Sequence, residues 1–208
     1  MIEIIDLGLI HFKTALLKQK QAVLDVASGG PDLLMLCEHP KTITLGRKYK
    51  EANLFQSRDS LNKQGFTVVE VDRGGDVSLH APGQLIFYPI LNLKRNNLGI
   101  REYLKKLEQV AVDLLADFDI VANGDDGNRG IWVGQRKIAS IGVGVSRWVT
   151  YHGMGLNLYT DLSLFNVIRP CGLDIQMTAL SGETKKYFDM SEIKCRSAEN
   201  FKKVFGDK

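Results

Sequence analysis

The chain has 208 residues, of which 44% are hydrophobic and 25% are charged, a balance typical of a soluble globular protein and unlike that of a disordered one. Its length suits one sizeable core. Lys and Arg together number 27 and Asp and Glu 24, a formal net charge of +3, which excludes a strongly basic, nucleic-acid-binding protein.

The first half of the chain predicts one amphipathic helix followed by short strands. Phe12, Ala15, Leu16, Val23 and Val26 recur at helical spacing until Gly29-Gly30-Pro31 ends the pattern. Apolar runs bounded by turn residues predict strands over residues 32–37, 42–45 and 66–71, with a short helix over 58–64. The first half therefore mixes helix and strand.

The second half continues the alternation. Residues 84–91 predict a strand in which Pro89 lacks an amide donor and favours a sheet edge or a bulge. An apolar stripe from Ile100 to Phe118 predicts a long helix across a sheet. Further predicted elements are a turn over 123–128, adjacent strands over 131–133, 137–146 and 148–152, and a last helix over 191–205. We therefore predict an α/β (α+β) fold, with residues 1–208 forming a single domain of mixed β-sheet packed by helices.

Three segments concentrate glycine, histidine, lysine, arginine and cysteine where a plain core needs none of them. They are residues 73–84, 136–142 and 169–173. In the first, a predicted strand runs into Gly74-Gly75, and glycine lets backbone approach a ligand closely. A simple hairpin loop is the alternative for that segment.

Cys171 and Lys137 are the candidates for nucleophile and base. Cys171 lies in an irregular segment between Pro170 and Gly172, and a neighbouring cation lowers the pKa of a loop thiol from about 8.5 and yields the nucleophilic thiolate. Lys137 opens an uncharged apolar stretch that ends at Ser146, and a partly desolvated lysine acts as a general base. An inert loop cysteine and a solvated lysine that protects a sheet edge are the alternatives.

The histidines and glycines are weaker evidence for a function than Cys171 and Lys137 are. His80 and His152 precede small residues and have the chemistry to orient an acyl group, although structural histidines fit equally. His11 and His39 have no supporting context. Cys37 and His39 form the only close Cys/His pair, which disfavours zinc, and no phosphate-binding glycine pattern occurs.

Cysteine usage and the amino terminus predict a compartment. Cys37, Cys171 and Cys195 are odd in number and widely spaced, which suits a reducing environment. The first residues carry Glu3 and Asp6 where a signal peptide is basic, and the longest uncharged segment, residues 79–93, falls short of the ~20 apolar residues of a membrane span. We therefore predict a cytoplasmic protein without membrane contact.

Four blocks together resemble the lipoyl(octanoyl) transferases, the lipoate-protein ligase B family. The blocks are Arg73-Gly-Gly with His80-Ala-Pro-Gly-Gln84, Lys137-Ile-Ala-Ser-Ile-Gly142, Trp148-Val-Thr-Tyr-His-Gly153 with Asn157, and Pro170-Cys-Gly172. They follow the family's order and spacing and cover essentially the whole chain.

The resemblance implies both a fold and an activity. The fold is that of the biotin and lipoate protein ligases, a mixed sheet packed by helices. The implied enzyme is an acyltransferase that moves an octanoyl group from octanoyl-acyl carrier protein to a lysine ε-amino group on lipoyl domains, the first step of endogenous protein lipoylation. The implied acceptors are 2-oxoacid dehydrogenase E2 subunits and the glycine cleavage H protein, and no cofactor is implied, neither ATP nor a metal.

The resemblance also assigns the site. The family's acyl-thioester cysteine falls on Cys171, and the lysine that lowers its pKa falls on Lys137. The octanoyl-binding positions fall on Arg73, Gly74, Gly75, Asp76, Val77, Ser78, Leu79 and His80, on Ser140, Ile141 and Gly142, and on Gly153, Met154 and Gly155. His152 and Asn157 take supporting positions.

Three positions depart from the family's usual residues and bear on the acyl tunnel. Ser78 replaces Thr, Leu79 replaces an aromatic residue and Gly155 replaces Ala, so the preferred chain length stays open. Apolar Leu79, Ile141 and Met154 are expected to line an acyl slot, with ordinary core packing as the alternative. Gly142 and Gly172 are the positional candidates for backbone donors to an oxyanion.

Residues 41–50 predict a docking surface. They contain Lys41, Arg47, Lys48 and Lys50 and no acid. Acyl carrier proteins are acidic as a family, so this stretch is expected to affect association rate and salt dependence. An ordinary solvated face is the alternative.

Rival functions remain. An ATP-dependent lipoate or octanoate ligase of the same fold would use a lysine near Lys137 but needs no cysteine nucleophile. A cysteine hydrolase would use His80 or His152 as its base. A non-catalytic protein of this fold would bind acyl carrier protein or lipoyl domains without chemistry.

Overall fold

The chain forms two β-sheets with helices packed around them, in a computed structural model that describes residues 2–125, 127–172, 175–186 and 188–206. The strands are β1 (Glu3–Leu9), β2 (Leu33–Glu38), β3 (Thr42–Leu45), β4 (Thr67–Glu70), β5 (Val77–His80), β6 (Gln84–Ile90), β7 (Asn123–Gly124), β8 (Gly130–Val133), β9 (Arg136–Ser146), β10 (Val149–Asn157) and β11 (Gln176–Met177). The helices are α1 (Phe12–Ala27), α2 (Arg58–Lys63), α3 (Ile100–Ala116), α4 (Leu180–Thr184) and α5 (Met190–Phe205), and 3-10 turns cover Glu51–Asn53, Leu162–Val167 and Pro170–Gly172.

The larger sheet has the strand order β1-β2-β6-β10-β9-β8-β7. Its first two strands are parallel, whereas β2, β6, β10, β9 and β8 pair antiparallel. The two-residue strand β11 runs parallel to the start of β9. The smaller sheet has the order β4-β3-β5, with β3 parallel to β4 and antiparallel to β5. Both sheets are therefore mixed, as the predicted α/β (α+β) class requires.

Helices cover the two faces of the larger sheet. Leu107 and Leu114 of α3 share a core with Phe201 of α5 and with Leu34 of β2. On the opposite face, α1 packs its buried stripe against alternate side chains of β2 and β6. A third core lies behind the smaller sheet. The helical spacing read from the sequence thus marks the buried faces, because every third or fourth residue of a helix points the same way.

One strand position was predicted wrongly, and several strands, among them the two-residue β7 and β11, were not predicted. Strand β6 lies between β2 and β10, so the edge position favoured by Pro89 is wrong. The missing donor is tolerated because regular pairing between β6 and β10 stops at Phe87, and Thr150 Oγ1 donates to the Pro89 carbonyl instead (2.7 Å). Strands β1 and β5 were missed, and β10 continues five residues beyond the predicted end at His152.

The helices over residues 12–27, 58–63, 100–116 and 190–205 confirm the four predicted ones within a few residues. Within the described parts of the chain, no helix combines the length and the apolar character that a membrane crossing requires. Cys37 is buried, and burial raises its pKa to about 12, whereas Cys195 is exposed; neither forms a disulfide. Cys37 therefore occupies a structural position and Cys195 a surface position.

Candidate active site

A cleft of about 460 Å³, a volume that includes space open to solvent, lies on the α1 side of the larger sheet, beside β5. Its lining combines a sheet floor, a polar wall and an aromatic end. The lining residues are Ile86, Ser140, Ile141, Gly142, Gly153, Met154 and Gly155 from the floor strands, Arg73, Gly75, Asp76, Ser78 and His80 from the wall, and Phe12, Tyr88 and His152 from the end. The cleft therefore gathers residues from all parts of the chain up to Gly155.

The floor of the cleft is a row of paired residues across four strands. Ile86 of β6 pairs with Gly155 of β10, Gly155 pairs with Ser140 of β9, and Ser140 pairs with Gly130 of β8. Neighbouring strands lie about 4.8 Å apart. Three of these four residues have a small side chain or none, so a ligand can approach the sheet backbone along this row.

A β-bulge places Lys137 above the same floor. The pairing between β8 and β9 shifts register, so that Ala139 faces Ile131 but Lys137 faces Trp132. Residues three apart on a regular strand point to opposite faces, and the extra residue of a bulge reverses this. The Lys137 side chain therefore shares the face of Ser140 and Gly130.

The Lys137 side chain is fully buried and held from two sides. Nζ donates to the Arg129 carbonyl oxygen (2.7 Å) and lies 5.2 Å from the centre of the Trp132 ring. A methyl group on Gly130 would come within 2.2 Å of Lys137 Cε and 2.5 Å of the Ala139 carbonyl oxygen. Glycine is therefore the one residue type at position 130 that leaves room for the Lys137 side chain.

The Pro170–Gly172 turn lies against β5 and the start of the wall. A methyl group on Gly172, whose φ is +70°, would lie 2.9 Å from Asp76 Oδ2 and 3.0 Å from Asn53 Nδ2. The amide of Arg169 donates to the Asn53 carbonyl (2.8 Å). The backbone next to Cys171 is thus fixed beside Asp76, which lines the cleft. The Cys171 side chain and Leu173 lie outside the described residues.

The chain that follows the turn returns to Lys137. Met177 of β11 pairs with Lys137, and the Thr178 amide donates to the Lys137 carbonyl oxygen (2.9 Å). The structure therefore joins the segments of the two predicted catalytic residues through the backbone. One predicted oxyanion donor is already used, because the Gly172 amide donates to the Arg169 carbonyl within the turn (2.9 Å).

Arg73 anchors the wall. Its buried guanidinium donates to the Thr44 carbonyl (2.8 Å), to Thr44 Oγ1 (2.8 Å) and to the Gly74 carbonyl (3.0 Å). The Gly74 amide donates to the Val143 carbonyl of β9 (2.9 Å). Gly142 allows this approach, because a methyl group there would lie 3.0 Å from Arg73 Cδ. These contacts hold the wall against the floor.

Three histidines surround Phe12 at one end of the cleft. The Phe12 ring stacks on His80 (6.0 Å between centres) and on His152 (6.3 Å), and meets His39 edge-on (5.3 Å). Burial, with a contribution from the charge of His39, lowers the pKa of His80 to about 3. Burial also lowers the pKa of His39 to about 4. Both rings are therefore neutral near pH 7.

His152 is held by Asp72 in a rare backbone conformation. Its φ is +55°, and its Nε2 lies 3.0 Å from Asp72 Oδ1. Tyr151 also donates to Asp72 (2.9 Å), and the His152 amide donates to Gln19 Oε1 (2.8 Å). Burial lowers the pKa of His152 although Asp72 opposes the shift. All three histidine rings at this end of the cleft are therefore uncharged.

A chain of amides fixes the orientation of the His80 ring. Asn157 Nδ2 donates to the Thr178 carbonyl (3.0 Å), and Gln84 Nε2 donates to Asn157 Oδ1 (2.8 Å). Gln84 Oε1 then accepts from His80 Nδ1 (2.8 Å). The Thr178 carbonyl can only accept a hydrogen bond, so Asn157 must bond to it through its amide nitrogen. This fixes which atom donates in each of the following hydrogen bonds. The neutral His80 ring therefore presents an Nε2 lone pair.

The strand alternation separates the predicted octanoyl-binding residues into two groups. Arg73, Asp76, Ser78, His80 and the residues 140, 142 and 155 lie at the cleft. Val77 and Leu79 pack instead in the core behind the smaller sheet. Ile141 and Met154 border the cleft, but their side chains belong to the core on the α3 face. Successive residues of a strand point to opposite faces, so a contiguous block divides in this way.

Three apolar residues that line the cleft were not singled out by the sequence. Phe12, Ile86 and Tyr88 fit the helix and strand patterns of ordinary core residues. His39 had no supporting context, yet its Nδ1 donates to the Ile10 carbonyl and its Nε2 accepts from the Tyr88 hydroxyl (both 2.7 Å). The one usable signal was the position of Phe12 at the first turn of α1, where a helix end meets the sheet.

Comparison with known proteins places the chain in a family. Residues 12–202 match the family described as Lipoyl protein ligase A/B catalytic domain. The chain belongs to this family. A relative from Desulfovibrio desulfuricans, named Octanoyltransferase, is 42% identical over 202 residues, which cover 96% of this chain and 85% of the relative. Two further relatives, 41% and 39% identical, carry the same name. The resemblance drawn from the four sequence blocks is thereby confirmed, and the chain is an acyltransferase enzyme.

Solved structures confirm the fold of the family. A bi-partite lipoate protein ligase from Thermoplasma acidophilum superposes with a TM-score of 0.69 at 14% identity, covering 98% of this chain and 84% of that one. A biotin protein ligase from Aquifex aeolicus, in complex with biotin and ATP, gives 0.56 at 17% identity and covers 99% and 73%. The predicted fold, that of the biotin and lipoate ligases, is therefore correct. Within residues 2–125, 127–172, 175–186 and 188–206, no three His, Cys, Asp or Glu side chains cluster as metal ligands do.

Proposed function

We propose that the enzyme transfers an octanoyl group from acyl carrier protein to a lysine on lipoyl domains, through a thioester on Cys171. The observation that carries the proposal is a cleft with a floor of small residues that includes Ser140 of the Lys137 strand, a wall that includes Asp76 beside the Pro170–Gly172 turn, and an apolar end. Relatives named Octanoyltransferase support the acyl group. The acceptors are the lipoyl domains of 2-oxoacid dehydrogenase E2 subunits and the glycine cleavage H protein.

The first half-reaction is an exchange of thioesters. Lys137 takes the proton of the Cys171 thiol, and the thiolate attacks the carbonyl carbon of the octanoyl thioester. The tetrahedral intermediate collapses, the bond to the carrier's sulfur breaks, and that sulfur leaves with the proton returned by Lys137. One thioester replaces another, so this step needs no ATP or metal.

The second half-reaction forms the amide. The ε-amino group of the acceptor lysine attacks the octanoyl-Cys171 carbonyl as the neutral amine, after Lys137 has taken its proton. The Cys171 sulfur leaves and is reprotonated. An amide is more stable than a thioester, so the reaction runs toward the acylated domain in the cytoplasm without a cofactor.

The basic loop after β3 is the proposed docking surface for the carrier. Arg47, Lys48 and Lys50 are exposed. The amides of Arg47 and Lys48 donate to the carbonyls of Arg73 (3.1 Å) and Gly75 (3.0 Å), so the loop is attached to the wall of the cleft. An acidic carrier that binds there would bring its thioester to the mouth of the site, and its association rate would fall with added salt.

The decisive test is the intact mass of the protein after mixing with octanoyl-acyl carrier protein. We expect one octanoyl adduct that disappears when a lipoyl domain is added, no adduct on Cys171→Ser, and slow formation on Lys137→Ala. Cys195→Ser is the matched control, because Cys195 is exposed and lies on α5, and it should retain the adduct. Transfer that requires ATP and free octanoate, with no adduct, would instead establish a ligase.

A further inference from the structure

The cleft has a closed end, and Phe12 forms it. Phe12 is the first residue of α1 and only 4% exposed, and it lines the cleft together with Ile86 and Tyr88. The neutral rings of His80 and His152 stack against it. This end therefore presents apolar and aromatic surface and no charge.

The pairing across the floor gives the length of the cleft. Ser140 and Ile86 are the outer members of the paired row Ser140–Gly155–Ile86. Two strand spacings separate them, about 10 Å. With bonds near 1.52 Å and angles near 111°, an extended eight-carbon chain advances about 9 Å. A chain whose carbonyl lies near Ser140 would therefore reach Ile86 with its last carbon.

The reacting end of the chain must lie on the Ser140 side. Lys137 shares the face of Ser140 and lies over Gly130, the next residue of the row. The Pro170–Gly172 turn lies beside Asp76, and Phe12 and Tyr88 line the cleft together with Ile86. The acyl chain thus has one direction in which to extend, across β10 toward β6.

We infer that Phe12 sets the acyl chain length by closing the end of the cleft that Ile86 and Tyr88 also line. The inference rests on the proposed acyl transfer and adds the residue that selects eight carbons. A longer chain meets the Phe12 ring, which cannot move aside because it is packed among His39, His80 and His152. A shorter chain leaves part of the apolar end unfilled and loses about fourfold in affinity for each missing CH₂.

The test is a competition in which the enzyme receives hexanoyl, octanoyl, decanoyl and dodecanoyl carrier protein together with a lipoyl domain. In Phe12→Ala we expect the ratio of decanoyl to octanoyl transfer to rise about 15-fold, the gain for two additional buried CH₂ groups. Phe12→Trp should shift transfer toward hexanoyl. If Phe12→Ala folds poorly, Ile86→Ala at the same end of the floor replaces it in the test. This variant should also shift transfer toward decanoyl.

Phe66→Ala is the matched control. Phe66 is 5% exposed and packs in the core behind the smaller sheet, away from the cleft. It should lose stability and keep the octanoyl preference. Folded Phe12 and Ile86 variants with the wild-type chain-length profile would overturn the inference, whereas a wild-type enzyme that transfers no acyl group at all would overturn the proposed function instead.

Discussion

The region around Lys137, beside the cleft, and the Phe12 end of the cleft differ in the ionisable side chains that they bury. At the first, a lysine is fully buried and is held by a carbonyl oxygen and an indole ring. At the second, His39 and His152 are buried and His80 is half-buried, and desolvation lowers the pKa of each so that the rings are neutral. The comparison teaches that the site confines basic chemistry to one end and gives a hydrocarbon chain an uncharged surface at the other.

The largest expected effect comes from breaking the Lys137 end with Gly130→Ala. The new methyl group would lie 2.2 Å from Lys137 Cε and 2.5 Å from the backbone of Ala139, at a φ of +149°. The lysine must move by about 1 Å or more, and a displacement of that size costs about 100-fold in rate. The measurement is the rate of acyl-enzyme formation by rapid-quench mass spectrometry.

Gly99→Ala serves as the control for that substitution. Apart from its own chain neighbours, no atom lies within 4 Å of the position of its new methyl group, so the variant should keep the wild-type rate, with only the small loss of stability expected for Ala at the N-cap of α3. A Gly130→Ala enzyme that folds and forms the acyl-enzyme as fast as wild type would show that the position of Lys137 is not critical.

A fall in pH tests the Phe12 end. The pKa values of His80 and His39 are lowered to about 3 and about 4 by burial, whereas those of unfolded histidines lie near 6.5. Below about pH 6.5 these histidines bind protons in the unfolded chain but not in the folded protein. The free energy of unfolding is therefore at its full value above that pH and decreases below it. The slope is about 1.4 kcal/mol per pH unit for each histidine.

Urea unfolding at pH 7 and pH 5 measures this effect. We expect the free energy of unfolding to fall by a few kcal/mol between the two. His39→Gln removes one of the titrating rings and should reduce the fall. Equal stability of the wild-type protein at both pH values would be inconsistent with neutral buried histidines.

The smallest effect is expected at the middle of the cleft, for Gly155→Ala. The new methyl group would lie 2.8 Å from Gln84 Oε1 and 3.3 Å from Ile86 Cδ1. The Ile86 side-chain end can shift, whereas Gln84 Oε1 must move within its hydrogen bond to His80 Nδ1, and the raised floor should slow octanoyl transfer by about two- to fivefold. Steady-state transfer assays with octanoyl and decanoyl donors measure it.

Gly182→Ala on α4 is the control, because its methyl group would make only an ordinary contact, 3.9 Å from Thr178 Oγ1. A change in the chain-length ratio as large as that expected for Phe12→Ala would mean that the floor, rather than the end, measures the chain.

Helices and strands were predicted correctly where local sequence periodicity and tertiary packing agree. The stripe from Ile100 to Phe118 predicted α3 because its apolar residues face one core, except for Ile100 itself, which is exposed. Strand β1 was missed because it is paired on one side only, with β2, and keeps little periodicity. Strand β5 was hidden behind the glycines of residues 73–76, which are typical of a loop. Short strands of this kind become stable only through pairing with a distant partner.

Most of the polar residues that the sequence singled out lie at the cleft, whereas most of the apolar residues that line it were not singled out. Arg73, His80 and Ser140 are conspicuous in sequence because a plain core needs none of them, and all three line the cleft. Phe12 and Tyr88 are inconspicuous because an apolar residue that lines a cleft has the same spacing as one that fills a core. Leu79 was expected at the acyl chain but packs behind its strand.

The sequence by itself determined the family, the mixed α/β class, the main helices and the segments in which Lys137 and Cys171 stand. Those properties depend on residue types, on local spacing and on the order of motifs along the chain. Tertiary structure alone decided which face each residue takes. A bulge against β8 turned Lys137 toward Ser140, alternate pairing turned Leu79 away, and the first turn of α1 placed Phe12 at the end of the cleft. Register is set between strands far apart in the chain, so no local pattern records it.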